Sequence, residues 1–169
     1  MLADLAKEIS ALRSTDGLAG AVITGTSRAF AAGAEIAEIA RLSAAEGHEF
    51  SRKGQRAFNL VEQSRKPTVA AIRGYCMGGA LDLALACHVR IASPDALFAH
   101  PGGSIGIMTG WGGTQRLPRL IGRSRALEMF VSGRRLDARE ALECGLVTAV
   151  VPPADLIPAA IARATPSPR

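Results

Sequence analysis

The chain has 169 residues, enough for one domain with a sizeable apolar core. Its 48% hydrophobic and 21% charged content excludes a disordered tail and a collagen-like repeat. The net charge of +5 comes from 17 Arg and 3 Lys against 15 carboxylates, and only seven scattered aromatics stand by to stack bases, so nucleic acid is not the expected partner.

The N-terminus reads as an amphipathic helix: Leu2, Leu5, Ile9 and Leu12 keep helical spacing, and Asp16-Gly17 ends it. A short buried strand over 21–24 leads into a loop of small residues over 25–34. A second helix runs from about Ser43 to Ser64, with Phe50, Ala57, Phe58 and Val61 on one face, and Lys66-Pro67 breaks it. Another buried strand over 68–72 turns at Gly74 and Gly78-Gly79 into an apolar helix through Ala86. Short strands follow over 89–92 and 97–100, then a loop over 102–113 and a set of short helices. One of these has clear punctuation, with Asp137 as N-cap, Glu140 as its capping-box partner and Gly145 as the stop. A last strand over 147–151 precedes Pro152-Pro153. Strands alternating with helices imply βαβ units and a largely parallel sheet with covered faces, in a single domain spanning 1–169. Residues 161–169 have the composition of a frayed tail.

No apolar run approaches the roughly 20 residues of a membrane span. Asp4, Lys7 and Glu8 interrupt any secretory signal, which points to a soluble, cytoplasmic protein without a membrane partner. An odd count of three cysteines argues against a disulfide framework. Cys76, Cys87, His88 and His100 lack the paired spacing of a zinc site, so no metal is expected. The densest basic stretch, 116–125, lies beside a Gly-rich loop. It suits a small phosphorylated ligand, or simply reflects arginine-for-lysine usage across the chain.

Two segments carry the chemical signal. In Gly74-Tyr75-Cys76-Met77-Gly78-Gly79-Ala80-Leu81-Asp82 a strand runs into a glycine pair that opens a helix. Backbone N–H groups at such a start have no intrahelical acceptor and can face a developing oxyanion. A second small-residue loop, Ala29-Phe30-Ala31-Ala32-Gly33-Ala34-Glu35-Ile36, follows the first strand and also enters a helix. Two such loops can converge to supply the pair of donors that a thioester enolate requires. The first segment is neither a Walker loop nor a dinucleotide fingerprint.

Together with Gly112-Gly113-Thr114-Gln115-Arg116-Leu117-Pro118-Arg119-Leu120-Ile121-Gly122 and the stretch over 123–147, these loops resemble the enoyl-CoA hydratase/isomerase (crotonase) superfamily over nearly the whole chain. The resemblance implies an α/β crotonase (ClpP-like) spiral lacking its first strands and most of its C-terminal helical region. It implies an acyl-CoA substrate and no separate cofactor, with oxyanion-hole amides at Ala34 and Gly79. Substrate would be bordered by Ala34, Glu35, Ile36, Ala37 and Gly79. A family-type homotrimer would be weakened by the missing helices, leaving apolar surface over 146–161 uncovered.

By the same resemblance Asp82 stands where hydratases carry the first of two catalytic glutamates, while Gly102 stands where they carry the second. The dehalogenase nucleophile would fall near Gly110, and the isomerase acid near Gly102. Between residues 96 and 127 there is no Asp or Glu. Asp82 is then either catalytic or an acid favoured in a first helical turn by ~0.3–1 kcal/mol. If 98–102 is extended, His100 faces the vacated position and could act as acid or base; the other reading is a histidine bonded to nearby backbone. Two functions stand open: an enoyl-CoA hydratase/isomerase with a degenerate acid–base pair (Asp82, His100), and a non-catalytic acyl-CoA-binding homologue.

Overall fold

A computed structural model describes residues 2–165. Helix α1 (Leu2–Ser14) is followed by β1 (Ala21–Thr24), β2 (Ala29–Ala31), α2 (Ile36–Ile39) and the long α3 (Ala44–Glu62). Next come β3 (Thr68–Ile72), β4 (Tyr75–Met77), α4 (Gly79–Ala86), β5 (Val89–Ala92), β6 (Leu97–Ala99) and a 3-10 turn, Pro101–Ile105. The chain continues with α5 (Gly113–Ile121), α6 (Arg123–Ser132), β7 (Leu136–Asp137), α7 (Ala138–Glu143), β8 (Ala149–Val150) and α8 (Leu156–Ala164). Both α3 and α7 start on reciprocal capping boxes, Ser43 with Glu46 and Asp137 with Glu140.

Successive turns of the chain each give one strand to each of two four-stranded sheets, β1-β3-β5-β8 and β2-β4-β6-β7. Every pairing is parallel except β6 with β7. Strand β3 is buried on both faces, which explains its unbroken apolar sequence. Its alternation splits the core: Ala70 and Ile72 join Phe58 and Val61 of α3, whereas Val69 and Ala71 face Leu156, Ala160 and Ala164 of α8.

Four expectations change. The loops at 25–34 and 74–79 each contain a three-residue strand, β2 and β4, too short for periodicity to reveal. Gly74 permits their crossing, since a Cβ there would lie 2.0 Å from the Arg28 carbonyl. The frayed segment expected from 161 instead starts as the last turn of α8, held because Ala164 is buried against β3. Residues 166–169 lie outside the described part. The apolar surface over 146–161 is partly covered: Leu146, Val147, Leu156 and Ala160 are buried, while Ile157, Ile161, Pro152, Pro153 and Pro158 stand out. The last strand also shrinks to two residues, because Leu146 and Val147 turn into the core instead of extending the sheet.

Candidate active site

The end of β2 and the end of β4 meet. Gly33 has φ +100°, and a Cβ on it would sit 2.9 Å from the Met77 carbonyl and 3.3 Å from the Gly79 nitrogen. A side chain would force the loops apart. Gly78, at φ +56°, donates its N–H to the Ala99 carbonyl at 2.9 Å and caps α4. The first intrahelical bond of α4 runs from Asp82 N–H to the Gly78 carbonyl at 3.1 Å. Gly79 N–H therefore precedes the helical ladder and has no carbonyl of its own helix to bond.

Ala34 and Gly79 both line a cavity of about 580 Å³. Its walls are apolar: Ile36 and Ile39 of α2, Phe50 of α3, and Ile105 and Met108 from the segment after β6. Ile36, Ile105 and Met108 are each more than half exposed and rim its mouth. Of the other expected substrate contacts, Glu35 and Ala37 are exposed and lie off the cavity wall.

Trp111, which the sequence reading did not single out, closes the inner end. A Cβ on Gly79 would lie 2.5 Å from its ring, and one on Gly54 would lie 2.1 Å from it. Its other neighbours are the rings of Phe50 at 5.1 Å and Phe58 at 5.5 Å, and its indole N–H donates to the Phe50 carbonyl at 3.3 Å. Gly79 has no positive φ; its missing side chain leaves room for Trp111. A lone tryptophan among glycines was the one available signal for this packing.

Behind the cavity lies a polar corner. Asp82 belongs to the first turn of α4 but points inward and is fully buried. The Thr109 hydroxyl donates to its Oδ2, and Oδ1 lies 3.5 Å from His100 Nε2, beyond hydrogen-bond length. Burial pushes the Asp82 carboxyl up to about 6, against the Thr109 hydroxyl and the Trp111 and Gly113 backbone amides, which favour the anion. His100 does line the cavity, packed on the Phe130 ring at 4.9 Å and only 3% exposed; burial pushes its imidazole down to about 4. Neither ring nitrogen has a hydrogen-bond partner, so the reading of a backbone-bonded histidine fails. Asp82 is not on the cavity wall itself; it meets His100 and Thr109, which are.

Gly102 sits in the 3-10 turn, where its carbonyl accepts from Ile107 N–H at 2.8 Å. A Cβ there would lie 2.4 Å from the Ile107 carbonyl, so this backbone leaves no room for a side chain. The basic stretch also resolves. Buried Arg116 donates to Trp111 O, Asn59 Oδ1 and Glu62 Oε2, bracing the glycine loop against α3. With Arg119 it borders a polar cleft of about 470 Å³ that shares Thr109 and Gly110 with the apolar cavity. Among the described residues no three His, Cys, Asp or Glu side chains converge as a metal site. No helix there is long and apolar enough to cross a membrane.

A double-sheet spiral with two glycine loops converging on an apolar cavity defines the crotonase class of folds. The Enoyl-CoA hydratase/isomerase family model matches residues 1–166, and the chain belongs to that family. It is 44% identical over 138 residues to a crotonyl-CoA hydratase from Syntrophomonas wolfei, covering 81% of this chain and 53% of that one. It is 43% identical over 157 residues to a fatty acid oxidation complex subunit alpha from Idiomarina loihiensis, covering 90% of this chain and 22% of the relative. Among solved structures, an enoyl-CoA hydratase from Thermoplasma volcanium superposes with a TM-score of 0.92 at 39% identity, covering 99% of this chain and 67% of that one. Pseudomonas aeruginosa DspI gives 0.92 at 38%, covering 96% and 67%. The chain spans about half the length of the curated hydratases it matches.

Proposed function

We propose that the chain is an acyl-CoA thioester enzyme of the hydratase/isomerase type. The thioester carbonyl sits between the N–H groups of Ala34 and Gly79, and coenzyme A enters only as part of the substrate. The observation that carries this reading is the contact of the two loops at Gly33 and Gly79, at the inner end of an apolar cavity. Removing an α-proton from a thioester places negative charge on the carbonyl oxygen. Preorganised backbone donors stabilise that charge without reorganising, and losing one typically costs ~2.7–4 kcal/mol of barrier. Acyl chains then lie against Ile36, Ile39, Phe50 and Met108.

His100 is the group placed to handle protons, and Asp82 sits behind it to balance the imidazolium. Three free thiols, two of them buried, suit a reducing cytoplasm. Weak self-association is part of the reading, supported by Leu127 and Val131, exposed one helical turn apart on α6. Non-catalytic acyl-CoA binding is the second reading, favoured by the absence of room for a carboxylate at Gly102. Titrating the chain with an unreactive acyl-CoA analogue, alongside a crotonyl-CoA turnover assay, tests both. Saturable binding supports the shared site and turnover selects the enzyme, whereas no binding removes both.

A further inference from the structure

We propose that Arg116 is a positioning residue for both the Gly79 turn and the Asp82 corner, and that it acts on the two together through one residue, Trp111. What the turn and the corner do chemically is taken from the thioester reading above; their coupling through Trp111 stands on geometry alone. Trp111 has three groups in use. Its ring fills the space beside Gly79, where a Cβ would lie 2.5 Å away, so it backs the turn that carries the Gly79 amide. Its N–H, with that of Gly113, bonds the Asp82 carboxylate. Its carbonyl accepts from Arg116 Nη1 at 3.0 Å. A shift of this one peptide moves the backing of the turn and a donor to the carboxylate at the same time.

Arg116 ties that peptide to α3. Its Nη2 donates to Asn59 Oδ1 at 2.7 Å and to Glu62 Oε2 at 2.8 Å, one turn apart on the helix. A turn earlier, Gln55 Nε2 donates to the Gly110 carbonyl at 2.7 Å. One polar face of α3 therefore holds the glycine loop at two carbonyls, those of Gly110 and Trp111. The guanidinium passes close under Gly112, where a Cβ would lie 2.2 Å from Nη1 and where φ is +105°. The planar fork serves three acceptors on two elements at once. A lysine ammonium is a point charge and cannot reproduce that fork.

The Arg116 charge also favours the Asp82 anion directly, so charge and position have to be separated. Arg116→Lys keeps the charge and loses the fork. Gln55→Ala combined with Asn59→Ala changes no charge, and both residues are exposed on α3, where alanine suits the helix. Arg119→Ala removes a neighbouring cation that bonds only the Gln115 carbonyl. The other titratable groups beside Asp82 are His100, after β6, and the Cys76 thiol on β4, which burial keeps neutral. None of these variants alters either group.

Two readouts on the full chain without ligand test the coupling. Trp111 is the only tryptophan, so fluorescence and its quenching by acrylamide report its seat. Carbon NMR of carboxyl-labelled aspartate follows the Asp82 titration, its signal assigned by its loss in Asp82→Asn. Arg116→Lys should shift the emission to longer wavelength, strengthen quenching, and move the Asp82 titration up by about half to one pH unit. Affinity for an unreactive acyl-CoA analogue should fall about 10-fold, as for one lost hydrogen bond. The Gln55/Asn59 double variant should move the same readouts in the same directions by less, and it decides the matter if Arg116→Lys does not fold. Arg119→Ala should move neither. A folded Arg116→Lys that is less stable but unchanged in both readouts makes the arginine a structural strut and overturns the proposal. Movement of one readout without the other, or equal shifts in Arg119→Ala, overturns it as well. Both shifts in a chain that binds no acyl-CoA analogue uphold the coupling and remove the proposed function instead.

Discussion

The two halves of the cavity are built by opposite means. On one side backbone amides are fixed by glycines: Gly33 and Gly78 in left-handed conformations, and Gly79 pressed against Trp111. On the other, Asp82 and His100 are sealed in a corner whose burial shifts their ionisation, with the half-buried Thr109 hydroxyl donating to Asp82. The amide half carries only geometry, so it breaks when space is filled or its support removed. The side-chain half carries charge states, so it responds to pH.

Removing the support should have the largest effect. Trp111→Ala deletes the ring wedged between Gly54 and Gly79 and should cost ~3–5 kcal/mol of stability. Urea unfolding would show it as a lowered midpoint with an unchanged slope. Filling the space comes next. Gly79→Val places a branched side chain where Trp111 lies and, in the proposed site, where the thioester carbonyl would approach. It should abolish binding of an acyl-CoA analogue while α4 still forms. Calorimetry with an acyl-CoA analogue checks this; unchanged affinity in a folded variant would make the turn a mere structural corner.

The charged half gives a subtler signature. Asp82's carboxyl, raised to about 6, contributes stability present below its ordinary value and lost as pH rises through about 6. His100, lowered to about 4, contributes stability present above its ordinary value and lost as pH falls through about 4. Over the window between, the two slopes oppose and nearly cancel. Single variants should separate them. Relative to the parent, His100→Gln should lose on the order of 2–3 kcal/mol as pH rises from 4 to 6, and Asp82→Asn should gain a similar amount. Denaturant titrations at a series of pH values measure both, and parallel profiles in all three proteins would show that the pair does not titrate as described. Thr109→Val is the mildest change. Losing a donor that favours the Asp82 anion raises that carboxyl further, so the stability lost as pH rises through about 6 should be lost about half to one pH unit higher.

The same contrast governs what the chain reveals before it folds. Strands β1, β3 and β5 are short buried apolar runs, and the Asp137–Glu140 capping box marks α7, so the scaffold could be read directly. The loops at 33–34 and 78–79 could be read because glycine answers a local backbone requirement. Strands β2 and β4 could not, at three residues each, with their pairing set by partners about 20 to 45 positions away. The polar corner was half readable: Asp82 and His100 stand at motif positions, but that Asp82 hides behind His100 depends on how α4 packs on the 109–113 loop. Thr109 had no signal at all, because its role is a single contact with a residue 27 positions earlier. Arg116 misled for a related reason, its cation being used inside the protein on Asn59 and Glu62.

Infrared difference spectroscopy of a bound acyl-CoA with an isotope-labelled thioester carbonyl tests the two-amide site most directly. Polarisation by Ala34 and Gly79 N–H predicts a carbonyl stretch displaced to lower frequency on binding, and the displacement should be lost in Gly79→Val. A bound thioester whose carbonyl absorbs where it does in water, with or without the substitution, would contradict an oxyanion hole at these loops.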